Sequence, residues 1–177
     1  RNFSDNMEFY KELHFKVNCN WKTYIDNYQE GYHIPLIHPQ LNKDLEWQEY
    51  KVINEGNCSI HRVNARGGSN QQGSFGWIFP NFSYNTYGRG ASYMRVNPIG
   101  AGEIKLSYFL YKDINLSNEE FEKQTLEYQH LISQEDQDMV PFIQKNLEAG
   151  IYHVGPLSHH WENGVIHFHS LIKSSIS

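Results

Sequence analysis

Long apolar runs are missing from this chain. The longest cover only a few residues, far short of the roughly 20 that a membrane-spanning helix needs. Cysteine is scarce as well. Two thiols cannot build a disulfide framework, and they fit a reducing compartment, so a cytoplasmic protein is expected. There is no basic block. Lys and Arg number 15 against 20 Asp and Glu, a net charge of −5, which argues against nucleic acid as a partner. Glycine and proline stay at 13 and 6, which excludes collagen-like and low-complexity chains. No signal peptide is expected. The chain opens at Arg1 rather than Met, as a piece of a longer polypeptide would. No repeat or linker divides it, so residues 1–177 are read as one domain.

Aromatic residues and histidine are what the chain has in plenty. Phe, Trp and Tyr make up 15%, and there are 10 His. Residues 18–33 read as a helix, with Trp21, Tyr24, Ile25, Tyr28 and Tyr32 at spacings of three and four. Asn18 or Asn20 is placed to cap it, and Pro35 and Pro39 to end or bend it. The preceding stretch 1–16 is mixed and polar, with Phe9, Tyr10, Leu13 and Phe15 as anchors.

From about residue 47 to 113 the pattern turns to strands. They run over 49–55, 59–65, 75–79, 82–87, 91–96 and 103–112, and turn residues separate the later ones, which predicts an antiparallel meander. The Gly- and Gln-rich run 67–73 reads as a loop or a long hairpin tip. Ser117 followed by Glu120 is a capping box, predicting a helix to about Ile132. A second helix is predicted over 136–148, with Pro141 acceptable only in its first turn. After Gly155-Pro156 a last helix carries Val165, Phe168, Leu171 and Ile172 on one face. Helix, strands, then helices give an α+β chain with helices on one face of a curved sheet.

Glu30, His33 and His38 lie within nine residues. On an ideal helix His33 and His38 would differ by roughly 140° and share no face. Pro35 disturbs the helix between them, so the chain can swing His38 back beside His33. Asn27, Glu30 and His33 are spaced by three and form one stripe. Two imidazoles delivered together suit a divalent transition metal, and a distant carboxylate would complete the set.

The residues around that pair carry a resemblance. Asn20-Trp21-Lys22, then Asp26-Asn27, Glu30, Tyr32-His33 and, four residues on, His38-Pro39 resemble the catalytic domain of Rieske non-haem iron oxygenases, in their choline- and betaine-type branch. Glu135-Asp136 with Gln144, the strand Trp77-Ile78-Phe79-Pro80-Asn81, and the stretch from Gly155-Pro156 to Phe168-His169 agree with it. The resemblance spans about residues 17–172. It implies a helix-grip fold, with a long C-terminal helix on the curved antiparallel sheet. It implies Fe(II) on His33, His38 and Asp136, with Asp138 as the fallback carboxylate, and Asn27 near the iron.

Glu30 would bridge toward a Rieske [2Fe-2S] cluster on a neighbouring subunit and is expected near the surface facing it. That cluster is not bound by this chain, because the family's Cys-x-His and Cys-x-x-His pair is missing. Cys58-Ser59-Ile60-His61 is a lone motif read as chance. The implied partners are a small organic substrate, O2, a Rieske domain or reductase as electron donor, and two further copies in a trimer. The implied reaction is hydroxylation, dihydroxylation or demethylation. A non-catalytic helix-grip module for a hydrophobic ligand, and a zinc-binding variant, are the alternatives. Trp77, Phe79, Tyr87, Phe109 and Tyr111 are the pocket candidates. His159 and His160 are expected to be exposed, and His167 and His169 to face different ways.

Overall fold

Asn20 starts the first helix by accepting a hydrogen bond from the Lys22 amide, which satisfies one orphan donor of the first turn. The protein is described here by a computed structural model covering residues 6–68, 73–87 and 89–177. Helix α1 (Trp21–Tyr28) is shorter than the predicted 18–33. Two short helices follow, α2 (Ile34–Ile37) and α3 (Pro39–Asp44). Pro35 sits in the first turn of α2, where a missing N–H costs nothing. The backbone leaves helical geometry at His38, with φ −114° and ψ 77°. His38 precedes Pro39, and a residue before proline is pushed out of the α region.

The predicted meander is present as β2 (Lys51–Glu55), β3 (Cys58–Arg62), β4 (Gly73–Ile78), β5 (Phe82–Tyr87), β6 (Gly90–Gly100) and β7 (Glu103–Asp113). Residues 69–72 of the predicted 67–73 loop lie outside the described residues. The polar stretch near the N-terminus is a strand, β1 (Met7–Val17), contrary to its mixed reading. It pairs with β7, so the antiparallel sheet runs β1-β7-β6-β5-β4-β3-β2. A register shift between Phe9 and Lys11 interrupts the two-residue period there, which hid the strand from a search for alternation.

Ser117 and Glu120 form the capping box. The helix they start, α4 (Asn118–Phe121), does not stop at Ile132. It passes through a π-helical turn at 122–126 into α5 (Glu127–Glu148), 22 residues long. Pro141 stands inside α5, so the Gln137 carbonyl gives up its ordinary helical partner. The long helix is therefore α5, and the C-terminal α6 (Asn163–Ile176) has 14 residues.

The core lies between the sheet and α1, α5 and α6. Met94 and Val96 of β6, with Ile104, Leu106, Tyr108 and Leu110 of β7, face inward at every second position. Tyr24 and Ile25 of α1, Val140 of α5 and Phe168 of α6 meet them. Phe168 is fully buried between the rings of Trp21 and Trp77. Gln144 ties α5 to the start of α1, its Oε1 accepting from the Asn20 amide and the Thr23 hydroxyl. Among the described residues, no helix is long and apolar enough to cross a membrane.

Candidate metal centre

The break at His38 turns its ring back toward His33, and the two ring centroids lie 5.1 Å apart. Asp136 reaches them from α5, across the core. Its Oδ1 lies 3.2 Å from His38 Nε2 and 3.8 Å from His33 Nε2. One donor atom from each of the three falls within 4.8 Å of the others. Donors bound about 2.1 Å from one ion at right angles stand about 3 Å apart, so the spacing suits a shared metal. The predicted trio is thus brought together, although Asp136 lies 103 positions from His33 and 98 from His38 in sequence. Asp138, the fallback, is exposed and accepts from the Gln134 side chain at 2.8 Å.

Each imidazole is held from behind by a carboxylate. Glu30 Oε1 lies 2.5 Å from His33 Nδ1, and its Oε2 accepts from the His33 amide at 3.1 Å. Glu135 Oε2 lies 2.8 Å from His38 Nδ1. A carboxylate on Nδ1 leaves the Nε2 lone pair for a metal. Asn27 donates to Asp136 Oδ1 at 2.9 Å, so the stripe Asn27, Glu30, His33 converges on one place. Burial opposes charge on His38, yet the hydrogen bonds and charges of Asp136 and Glu135 prevail and raise its pKa above the usual value.

Glu30 departs from expectation. The resemblance implies a position near a surface, but Glu30 is 7% exposed, with its carboxylate turned onto His33. The turn after α1 explains this. Gly31 passes so close to the Tyr50 ring that a Cβ there would lie 2.6 Å from Cδ1. Glycine thus lets the chain double back beneath Tyr50 and carry Glu30 inward.

The site opens on a cavity of about 730 Å³ walled by Tyr24, Tyr28, Tyr50, Phe75, Tyr108 and Tyr128, among others. Of the predicted pocket aromatics, Trp77, Phe79, Phe109 and Tyr111 are not among the described residues that line it. Trp77 is fully buried in the core and Phe79 packs against it. Tyr111 lies against Phe9 and Tyr93, with ring contacts to both, whereas Tyr108 and Leu110 belong to the core side. Phe109 and Tyr111 stand one residue out of phase with the cavity-lining Tyr108, and successive residues of a strand point to opposite faces of the sheet. The side chain of Tyr87 lies outside those described.

Hydrogen bonds hold the cavity wall. Tyr108 meets Tyr24 at 3.3 Å and Ser133 at 2.7 Å, oxygen to oxygen. Burial raises the Tyr108 pKa to about 12 and lifts Tyr24, Tyr28 and Tyr50 as well, so these rings stay neutral.

His61 has a structural place. It is fully buried on β3, bonded through Nδ1 to the Tyr50 hydroxyl at 2.5 Å, and burial lowers its pKa to about 3. Sequence reasoning missed Tyr50, Tyr128, Ser133 and Glu135. For Glu135 a signal existed, since it adjoins the carboxylate ligand candidate. His159 and His160 are exposed, and His169 pairs with Asp26 at 2.8 Å.

Comparison with known proteins places this geometry. A family model described as "Ring hydroxylating alpha subunit (catalytic domain)" matches residues 4–75 and 61–177. Choline monooxygenase, chloroplastic, from Atriplex hortensis is 29% identical over 175 residues, covering 94% of this chain and 40% of the relative. Its Arabidopsis thaliana counterpart is also 29% identical, with 92% and 40% covered. The chain therefore spans about two-fifths of the length of these relatives.

Among solved structures, a quaternary ammonium Rieske monooxygenase studied for carnitine oxidation and inter-subunit electron transfer superposes with a TM-score of 0.83. It is 20% identical, and 96% of this chain aligns with 51% of that one. Dicamba monooxygenase follows at a TM-score of 0.67 and 14% identity, with 97% and 60% covered. These two share the fold, a sheet packed against helices. By its family match over nearly its whole length, the chain belongs to the ring-hydroxylating alpha subunits of the Rieske non-haem iron oxygenases, as their catalytic domain.

Proposed function

We propose that this chain holds the mononuclear Fe(II) centre of a Rieske oxygenase and works on a small quaternary ammonium compound. The carrying observation is the convergence of His33, His38 and Asp136 on one point beside an aromatic cavity. Two imidazoles and one carboxylate with free positions beside them form the donor set of non-haem iron oxygenases. Bound there, iron supplies the activation of O2 with electrons from a Rieske centre.

The chain's own residues do the rest. Glu30 and Glu135 hold the two imidazoles by Nδ1. Asn27 steadies the carboxylate of Asp136. The neutral tyrosine rings of the cavity wall suit a cation, which the negative face of an aromatic ring attracts. Burial excludes water from the ligand side, where His38 is 1% exposed. Glu30 is the group through which electrons would enter from a neighbouring subunit, and a trimer would bring that subunit into place. The product would be a hydroxylated methyl or methylene group, released as a demethylated amine where an N-methyl reacts.

The test is a reconstituted full-length protein with its Rieske domain and a reductase, given choline, carnitine or glycine betaine. O2 uptake coupled to an oxidised product, and lost in His33→Ala, is expected. Iron-loaded protein that consumes no O2 with any quaternary amine would overturn the substrate reading. Protein that retains zinc alone would overturn the iron reading.

A further inference from the structure

Consecutive residues of α5 grip one imidazole from both sides. Glu135 takes Nδ1 of His38 at 2.8 Å, and Asp136 lies 3.2 Å from its Nε2. His38 is 1% exposed, so with Glu135 in place its Nδ1 is shielded from solvent. We propose that Glu135 is a positioning residue for metal binding: it fixes the His38 ring and the tautomer that presents Nε2 to the ion. The inference rests on reading His33, His38 and Asp136 as ligands.

An ionised carboxylate only accepts, so Nδ1 must carry the proton, which leaves Nε2 as the nitrogen that a metal would take. Glu30 does the same for His33, but the two supports are built differently. Glu30 sits three residues before its histidine and also takes that residue's amide. Glu135 comes from another element, 97 residues away. It therefore couples the position of α5, which brings Asp136, to the position of the His38 ring. The lone carboxyl–imidazole contact could merely pair a charged surface group with a charged histidine. The neighbouring Asp136 speaks against that. Residues 135 and 136 point about 100° apart on a helix, and only a ring set between them can meet both.

The experiment titrates Co(II) alone into the full chain and follows its visible absorption and heat of binding. Glu135→Ala is expected to weaken binding by about 10–100-fold, the usual loss when a ligand's supporting hydrogen bond is removed. Glu135→Gln keeps an oxygen for Nδ1–H and should bind more tightly than Glu135→Ala. Asp138→Ala, on the exposed side of the same helix, should bind as the wild type.

In the metal-free protein, the Nδ1–H proton of His38 should give a protected NMR signal that Glu135→Ala abolishes. Wild-type Co(II) affinity in Glu135→Ala overturns the proposal. Equal losses in the Gln and Ala variants overturn it too, because charge alone would then matter. Should Glu135→Ala not fold, the Gln variant decides, with a loss as large as that of His38→Ala counting against positioning. If His33→Ala and Asp136→Ala also bind Co(II) normally, the ligand assignment itself falls.

Discussion

Acid should unfold this protein partly through His61. The imidazole is wholly buried against Tyr28 and Tyr50, and burial holds its pKa at about 3. In the unfolded chain it returns to the ordinary value of about 6.5. The depressed value means that the native state keeps His61 neutral while the unfolded state takes up a proton. The associated stability is complete above about pH 6.5 and is lost as the pH falls toward 3.

Between pH 7 and pH 5 the loss attributable to this one group is about 2 kcal/mol, a pKa unit being worth 1.36 kcal/mol. Urea unfolding at the two pH values measures it, in the wild type and in His61→Phe. Other groups titrate alike in both proteins, so the difference of differences isolates His61. Removing the bond to Tyr50 costs the variant about 1–3 kcal/mol, but at both pH values alike. An unchanged pH dependence in His61→Phe would refute the reasoning.

Three further outcomes are expected. Phe168→Ala, which removes a fully buried ring between Trp21 and Trp77, should cost about 3–5 kcal/mol in chemical denaturation. Asp136→Ala should lower iron content far more than Asp138→Ala, and the reverse order by metal analysis would move the third ligand two residues along α5. Glu30→Gln keeps an oxygen for His33 Nδ1, so iron should remain bound while turnover of the reconstituted full-length enzyme collapses; retained turnover would remove Glu30 from the electron route.

Much of the site was legible because its residues sit at fixed spacing on one short stretch. Asn20, Asn27, Glu30, His33 and His38 lie within 19 positions, and Asn20 does cap α1. Asp136 was reachable only through its likeness to a family segment, since a contact with His38 across 98 residues leaves no periodic trace. The meander was legible from its turn residues, whereas β1 was not, its alternation being interrupted at Phe9 and Lys11.

The helix over 118–148 is continuous where the sequence predicts a break between Ile132 and Asp136, and it carries Pro141 beyond its first turn. A proline deep in a helix survives only when packing on both sides holds it, and packing is invisible in sequence. Here Val140 is fully buried in the core and Gln144 anchors α1. The pocket aromatics failed for a simpler reason. A strand has two faces, and in β7 alternating aromatics fill both, so Tyr108 and Phe109 read alike until the sheet is built.

Anomalous diffraction at the iron edge, from crystals of the chain loaded anaerobically with Fe(II), tests the central claim most directly. The account predicts one strong peak about 2.1 Å from Nε2 of His33, Nε2 of His38 and a carboxylate oxygen of Asp136, at the wall of the tyrosine-lined cavity. No peak there, or a peak at His159-His160 or at the Asp26–His169 pair instead, would contradict it.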